Sequence, residues 1–345
     1  MNITSIETFP YTLSMKQNFV TSKNTFSTRK GYIIKIKSNK FVGYGDVCPL
    51  PNFNCEKIKD TLYGIEQLKS ALLGYNAIDE NEIFDMMEVY LSELPSGQFG
   101  FNTALIDLKS KIAGLPFAKY LNKYHNKKIY SNGLESLHSP NDKFKIIKVK
   151  VGYKNLFDEL EHLEQLKNKF GGNIKFRLDA NGCFDLPKAI RFCKEVEKYN
   201  IDYIEQPLSK HSYDDLYELS LHTKLNIALD ESVTDINSIK KIIETNSANI
   251  LIIKPMVVGS FKKIKDLINL ANNNNLEIII TSSLESNVGL TASIHLASAF
   301  NINNHCGFST SNIFEKNFKS PINIINGEIQ IPDNPGLGIS LINVN

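Results

Sequence analysis

From Lys128 onward the chain alternates short runs of β-branched residues with amphipathic stretches, and this pattern limits the fold more than any other feature. The runs are Lys128–Ser131, Lys145–Val151, Ile174–Leu178, Tyr203–Glu205, Asn226–Leu229, Ile250–Ile253, Ile278–Thr281 and His305–Phe308. Between them the periodicity predicts helices over Asn155–Phe170, Pro187–Tyr199, Tyr213–His222, Asn237–Glu244, Ser260–Asn273 and Ser286–Phe300. Strands alternating with helices call for a parallel sheet. Eight units over roughly 185 residues match a (β/α) barrel, with a doubly wound open sheet as the alternative. A solenoid of similar period would need a repeated signature, and the sequence carries none.

The residues before this region read differently. Ile3–Leu13, Tyr32–Ser38 and Phe41–Val47 are expected strands, and Cys55–Leu73, Asn81–Glu93 and Gly100–Ala113 expected helices. The expected organisation is an α+β module over 1–125, a barrel over 126–314, and a tail over 315–345 that returns to the first module. The whole is α/β in class.

The 345 residues carry 39 Lys plus Arg against 37 Asp plus Glu, a net charge of +2. No basic field follows, so nucleic acid is not an expected partner. No apolar run reaches the ~18–20 residues of a membrane span. The start, MNITSIETFPYTLSMKQ, lacks a basic segment followed by an apolar one, so no signal peptide is expected. The five cysteines (Cys48, Cys55, Cys183, Cys193, Cys306) form no CxxC pair. They read as reduced thiols, and a cytoplasmic location is the expectation.

The chemistry-bearing residues fall at the ends of successive strands. Lys148-Val-Lys150 ends the second, Arg177-Leu-Asp179-Ala-Asn181 the third, Glu205-Gln-Pro207 the fourth, Asp230-Glu231-Ser232 the fifth and Lys254-Pro255 the sixth. From Lys150 through Asp179, Glu205 and Asp230 to Lys254 the step is 24–29 residues, one βα unit each time. Taken singly, each reads as a helix cap or a rim charge. Five in register form an arc at the C-terminal mouth, where barrel enzymes keep their sites. Three adjacent carboxylates repel one another, so positive charge must sit among them. All-oxygen donors favour a hard divalent cation such as Mg²⁺ over zinc.

Lys148 and Lys150 alternate with Val149 and so share one face of the strand. Two neighbouring ammonium groups with a divalent cation nearby should lower each other's pKa, which makes one of them a base near neutral pH. Lys254 stands across the arc. This arrangement suits proton abstraction beside a substrate carboxylate, with Mg²⁺ stabilising an enediolate. The seventh strand end, Thr281-Ser282-Ser283-Leu284-Glu285-Ser286, adds hydroxyls and a carboxylate toward the same mouth. His295 reads as structural within an apolar helix, whereas His305 is placed near the eighth strand end and within possible reach of the site.

These motifs resemble the enolase superfamily, and within it the muconate-lactonising branch. The resemblance runs from Gly43 to about Gly338. It implies a modified (β/α)₇β TIM-type barrel with an N-terminal α+β capping domain, and a lysine base working with Mg²⁺. Within the branch the sequence is most similar to the o-succinylbenzoate synthases of menaquinone biosynthesis. Gly43-Tyr-Gly-Asp-Val-Cys-Pro-Leu-Pro51-Asn-Phe53, Ser131-Asn-Gly133, Lys254-Pro-Met-Val-Val-Gly259-Ser260 and Ser282-Ser-Leu-Glu-Ser286-Asn-Val-Gly289 carry that likeness.

The resemblance implies dehydration of 2-succinyl-6-hydroxy-2,4-cyclohexadiene-1-carboxylate, a small carboxylate substrate, to 2-succinylbenzoate. It implies Asp179, Glu205 and Asp230 as Mg²⁺ ligands, with Mn²⁺ a possible substitute. Lys150 and Lys254 would be the catalytic lysines. Lys148, Arg177, Asn181, Ser282, Ser283 and Glu285 would bind substrate or support the site. Whether Lys150 acts alone, as a syn elimination allows, stays open. Asn52, where relatives often carry Gly, and Thr281, where a third serine is common, depart from the pattern. Met15–Arg29 and Leu50–Cys55 are the candidate lid loops.

Other reactions of the branch use the same lysine pair: dipeptide epimerisation, N-acylamino-acid racemisation and muconate-type cycloisomerisation. An epimerase should carry Asp-x-Asp after the eighth strand. Residues 303–312 hold no carboxylate.

Overall fold

The structure is a computed structural model, and it describes residues 2–20, 25–50, 53, 56–75 and 79–341. An antiparallel sheet opens the chain: β1 (Ser5–Val20), β2 (Thr25–Ser38) and β3 (Phe41–Val47), in that spatial order. Helices α1 (Ile58–Leu72), α2 (Glu80–Tyr90) and α3 (Pro95–Ala113) follow, then short α4 (Phe117–Leu121). The β1–β2 hairpin is longer than the sequence pattern predicts. Its distal half lies over the barrel loops, where Leu13 and Met15 pack on Leu284, Ile313 and Phe314.

Residues 96–110 of α3 are all buried. A helix covered on every side must lie between two layers. Gly43 and Gly45 on β3 make this possible, because a Cβ at either position would overlap the α3 backbone, at Ala104 O and Gly100 O respectively.

The barrel is built from β4 (Lys128–Tyr130), β5 (Gly133–Leu134), β6 (Ile146–Lys150), α5 (Leu156–Phe170), β7 (Lys175–Asp179), α6 (Leu186–Val196), β8 (Ile201–Glu205), α7 (Tyr213–His222), β9 (Ile227–Leu229), α8 (Ile236–Thr245), β10 (Ile250–Ile253), α9 (Pro255–Val258), α10 (Phe261–Asn273), β11 (Glu277–Ile280) and α11 (Asn287–Ala299). Strands β5 to β11 form one seven-stranded parallel sheet in chain order.

Cys306 and Gly307 close the ring. Cys306 N donates to Tyr130 O (2.7 Å), Asn132 N to Cys306 O (2.9 Å), Gly307 N to Ile280 O (2.9 Å) and Ser282 N to Gly307 O (3.0 Å). The eighth position is thus a bridge of two residues, and among the described residues no α-helix follows it, only a 3-10 turn at Ser311–Ile313, which is the modified (β/α)₇β form. The first barrel strand is split. Its β4 half pairs with a tail hairpin, β12 (Ile324–Ile325) and β13 (Glu328–Gln330), while its β5 half joins the barrel. The tail also meets the first module: Leu337 N donates to Asp107 Oδ1 (2.7 Å) and Lys111 Nζ to Ile339 O (3.4 Å). No helix among the described residues is long and apolar enough to cross a membrane.

Candidate active site

Strand register sets the heights of the charged residues. Lys150 pairs with Asp179, and Asp179 with Glu205, so these three stand level. Glu205 then pairs with Ala228, leaving Asp230 two residues higher. Leu251 pairs with Leu229, which leaves Lys254 three residues beyond that pair. The arc is therefore not at one height as expected; it climbs from β8 to β10. A closed barrel requires such a stagger.

The side chains nevertheless meet. Lys150 Nζ lies 2.6 Å from Asp179 Oδ2. Lys148 Nζ bridges Asp179 Oδ2 (2.9 Å) and Glu205 Oε1 (2.7 Å). Lys254 Nζ contacts Asp230 Oδ1 directly. Together they line a cavity of about 450 Å³ at the mouth of the barrel. Asn18, Phe26, Leu50 and Phe53 of the first module form its upper wall. The Phe53 ring centroid lies 4.2 Å from Lys254 Nζ. Residues 21–24, 51–52 and 54–55 of the candidate lid loops, Asn52 among them, lie outside the described residues.

Gln206 locks the climb in place. At φ +40° it turns back from β8, and its Oε1 accepts from Asp230 N and Ser232 N, both at 3.2 Å. That is the local reason for glutamine in Glu-Gln-Pro: its amide seats the backbone of the next carboxylate.

The charges are unevenly matched. Burial works against the Asp179 carboxylate, but Lys148 and Lys150 hold its pKa below the usual range. Burial and the Asp179 charge push Glu205 upward. Burial, with Glu231 beside it, does the same to Asp230 despite Lys254. Glu205 Oε2 is buried without a hydrogen-bond partner. Lys148 moves opposite to the sequence expectation. Burial favours its neutral form, yet Asp179 and Glu205 hold its pKa well above the usual lysine range. In this structure it is the counter-charge shared by the two carboxylates.

Among the described residues no three Asp, Glu, His or Cys side chains are gathered closely enough to hold an ion as they stand. Lysine ammonium groups take up the carboxylate oxygens between them. The donor set still fits a hard divalent cation. It is all carboxylate, it is under-compensated at Glu205 and Asp230, and Glu205 Oε2 lacks a partner.

The remaining sequence-predicted residues divide. Asn181, Ser282 and Ser283 line the cavity. Asn181 Oδ1 accepts from Lys150 Nζ (2.5 Å), and its Nδ2 donates to Glu231 Oε1 (2.9 Å). Ser283 Oγ is buried without a partner. Glu285 does not line the cavity. It turns back to accept from Ser282 Oγ (3.1 Å) and from Ser283 N, and burial raises its pKa to about 7.

Arg177 and His305 do not line the mouth cavity but share a second cavity away from it. Arg177 sits two residues below Asp179 on the same inner face, so its guanidinium points toward the opposite end of the barrel. It meets Asp202 (2.9 Å), Asn132 (3.0 Å) and the His305 carbonyl (2.6 Å). The His305 ring stacks on Tyr130 there. His295 is structural as expected, its Nδ1 accepting from Ala118 N at 3.3 Å. The sequence reading named Glu231 within Asp-Glu-Ser but gave it no role; its Oε2 is buried without a hydrogen-bond partner in the mouth. Its place directly after Asp230 was the available signal.

Residues 135–343 match the family described as "Enolase C-terminal domain-like". The chain belongs to the enolase superfamily. Residues 3–108 match "MenC, N-terminal domain". Among the superfamily's curated members, an o-succinylbenzoate synthase of Proteus mirabilis is 30% identical, over 82% of this chain and 83% of its own. A D-Ala-D/L-Ala epimerase of Cytophaga hutchinsonii is 26% identical, over 98% and 95%. Among solved structures, a dipeptide epimerase from Cytophaga hutchinsonii complexed with Mg and D-Ala-L-Val superposes with a TM-score of 0.89 at 25% identity, covering 100% of this chain and 97% of its own. Superfamily membership accounts for the barrel and its capping sheet. The relatives divide among o-succinylbenzoate synthases, dipeptide epimerases and an N-succinyl-L-Arg/Lys racemase of Bacillus cereus.

Proposed function

We propose that the chain is an o-succinylbenzoate synthase, a Mg²⁺-dependent lyase that dehydrates 2-succinyl-6-hydroxy-2,4-cyclohexadiene-1-carboxylate to 2-succinylbenzoate. The observation that carries this reading is the eighth-strand wall of the cavity. Gly307, Ser309 and Thr310 line it, and none offers a carboxylate to a substrate ammonium. The match of residues 3–108 to the MenC N-terminal domain points the same way. So do the apolar Phe26, Leu50 and Phe53, which suit a ring substrate.

In this reading Lys150 takes the proton from the carbon bearing the carboxylate. It returns a proton to the neighbouring hydroxyl as the carbon–oxygen bond breaks, and water leaves as the ring becomes aromatic. Lys254, placed across the cavity, stabilises the anionic intermediate. Lys148 keeps Asp179 and Glu205 paired. Asp179, Glu205 and Asp230 would hold Mg²⁺, whose charge would stabilise the carboxylate as the proton leaves.

A second reading, a dipeptide epimerase, draws on one observation. The unpartnered Glu231 Oε2 in the mouth could accept an ammonium. N-acylamino-acid racemisation and muconate-type cycloisomerisation would use the same lysine pair.

The deciding experiment follows the cyclohexadiene carboxylate by absorbance, with Mg²⁺ and with EDTA. Metal-dependent formation of 2-succinylbenzoate at an enzyme-like rate supports the proposal. No conversion by folded, Mg²⁺-loaded protein, together with α-carbon deuterium exchange on dipeptides, moves the assignment to the epimerase.

A further inference from the structure

The loop after β6 carries a cluster that the lysine–carboxylate arc does not explain. Glu159 lies in the first turn of α5, and only 3% of it is exposed. Its Oε1 accepts three consecutive backbone N–H groups: Gly152 (2.8 Å), Tyr153 (3.0 Å) and Lys154 (3.0 Å). A loop that has left a sheet and not yet entered a helix has these donors to satisfy. One anionic oxygen satisfies all three with charge-assisted bonds. Gly152 is at φ +89°, where a Cβ would also collide with Cys183 Sγ. The loop is therefore held in one shape.

What that shape presents is Tyr153. Its side chain lines the mouth cavity and is 48% exposed. Its hydroxyl donates to Asn181 Oδ1 at 3.2 Å, the same oxygen that accepts from Lys150 Nζ. Glu231 accepts from Asn181 Nδ2, so the amide is oriented with its oxygen toward both donors. The phenol and the ammonium are thus neighbours across one oxygen.

We propose that Tyr153 is a specificity-determining residue. Its hydroxyl binds the polar substituent on the atom next to the carbon that gives its proton to Lys150. Glu159 is the positioning residue that holds Tyr153 there. Under the proposed function, on which this detail rests, that substituent is the ring hydroxyl lost in the reaction. The product, 2-succinylbenzoate, has no such hydroxyl. Tyr153 therefore discriminates substrate from product.

The test uses the Mg²⁺-loaded full chain and the variants Tyr153→Phe, Glu159→Ala and Glu159→Gln, with thermal melting as the control for folding. Tyr153→Phe should raise KM for the cyclohexadiene carboxylate about ten-fold, as loss of one hydrogen bond implies, with kcat little changed. Calorimetric affinity for 2-succinylbenzoate should stay within about two-fold of wild type. Glu159→Ala should show the same split, and the double variant should be no worse than either single one. Glu159→Gln keeps an accepting oxygen and should restore wild-type KM. Equal losses of substrate and product binding, or a wild-type KM in Tyr153→Phe, would overturn the inference. If wild-type protein neither turns over the diene nor binds the product, the proposed function fails instead. Tyr153→Phe is then read by dipeptide α-carbon exchange, where an unchanged KM overturns the inference and a raised KM supports it.

Discussion

Lys150 and Asp179 are register partners on neighbouring parallel strands, and their side chains meet at 2.6 Å. A lysine so placed has a fixed direction into the cavity, where its other contact is the Asn181 amide oxygen. Lys150→Ala is expected to lower turnover by about 10³-fold or more, because water cannot replace a positioned acid/base group. The fold should persist, since Lys148 still pairs with Asp179. Activity within a few-fold of wild type, beside an unchanged melting curve, would remove Lys150 from the reaction.

Asp179 is the carboxylate most completely paired with lysine, through both Lys148 and Lys150. Asp179→Asn removes one anionic donor while keeping the shape. Mg²⁺ affinity measured by calorimetry should fall about ten-fold or more, since even outer groups of metal sites cost that much. Undiminished affinity would place the ion elsewhere.

Much of this site was legible in the sequence because strand ends repeat at the period of the βα unit. Lys150, Asp179, Glu205, Asp230 and Lys254 were found by spacing alone, and all five line one cavity. Spacing does not encode stagger, so the climb from Glu205 to Lys254 was invisible. Nor does it distinguish layers of an inner face. Arg177 shares Asp179's face but lies one layer down, with its guanidinium at the other end of the barrel. The direction of the Lys148 shift depends on which neighbours are closer, and spacing does not give that. Two carboxylates lie within 3 Å of it, and such pairing outweighs a second lysine. The clamp from Glu159 to residues 152–154 joins backbone donors, which leave no trace in residue types.

Gly45 marks where helix α3 touches strand β3. A Cβ there would overlap Gly100 O, which is backbone and cannot rotate away. Gly45→Ala should destabilise the protein by about 1–3 kcal/mol or more, as overpacking does. Thermal melting reads this directly. A compensating Gly100 change could not help, because the clash is with a carbonyl. An unchanged melting temperature would mean that α3 shifts outward without cost.

His295 should contribute to the acid limb of stability, beside His305, whose pKa burial lowers to about 4. Burial, with His125 nearby, pushes the His295 pKa down to about 3, and its ring accepts a hydrogen bond from Ala118 N through Nδ1. The imidazole is therefore neutral when folded. In the unfolded chain it protonates near its ordinary value of about 6.5. Below that pH the unfolded state binds the extra proton, so stability falls as pH falls from about 6.5 toward 3. The full difference is at most roughly 5 kcal/mol, spread over that window. His295→Asn keeps a short acceptor for Ala118 N and removes the titration. Its urea midpoint should lie below wild type at pH 8 and change less between pH 7 and pH 4. Parallel pH curves for the two proteins would assign the acid sensitivity to another group.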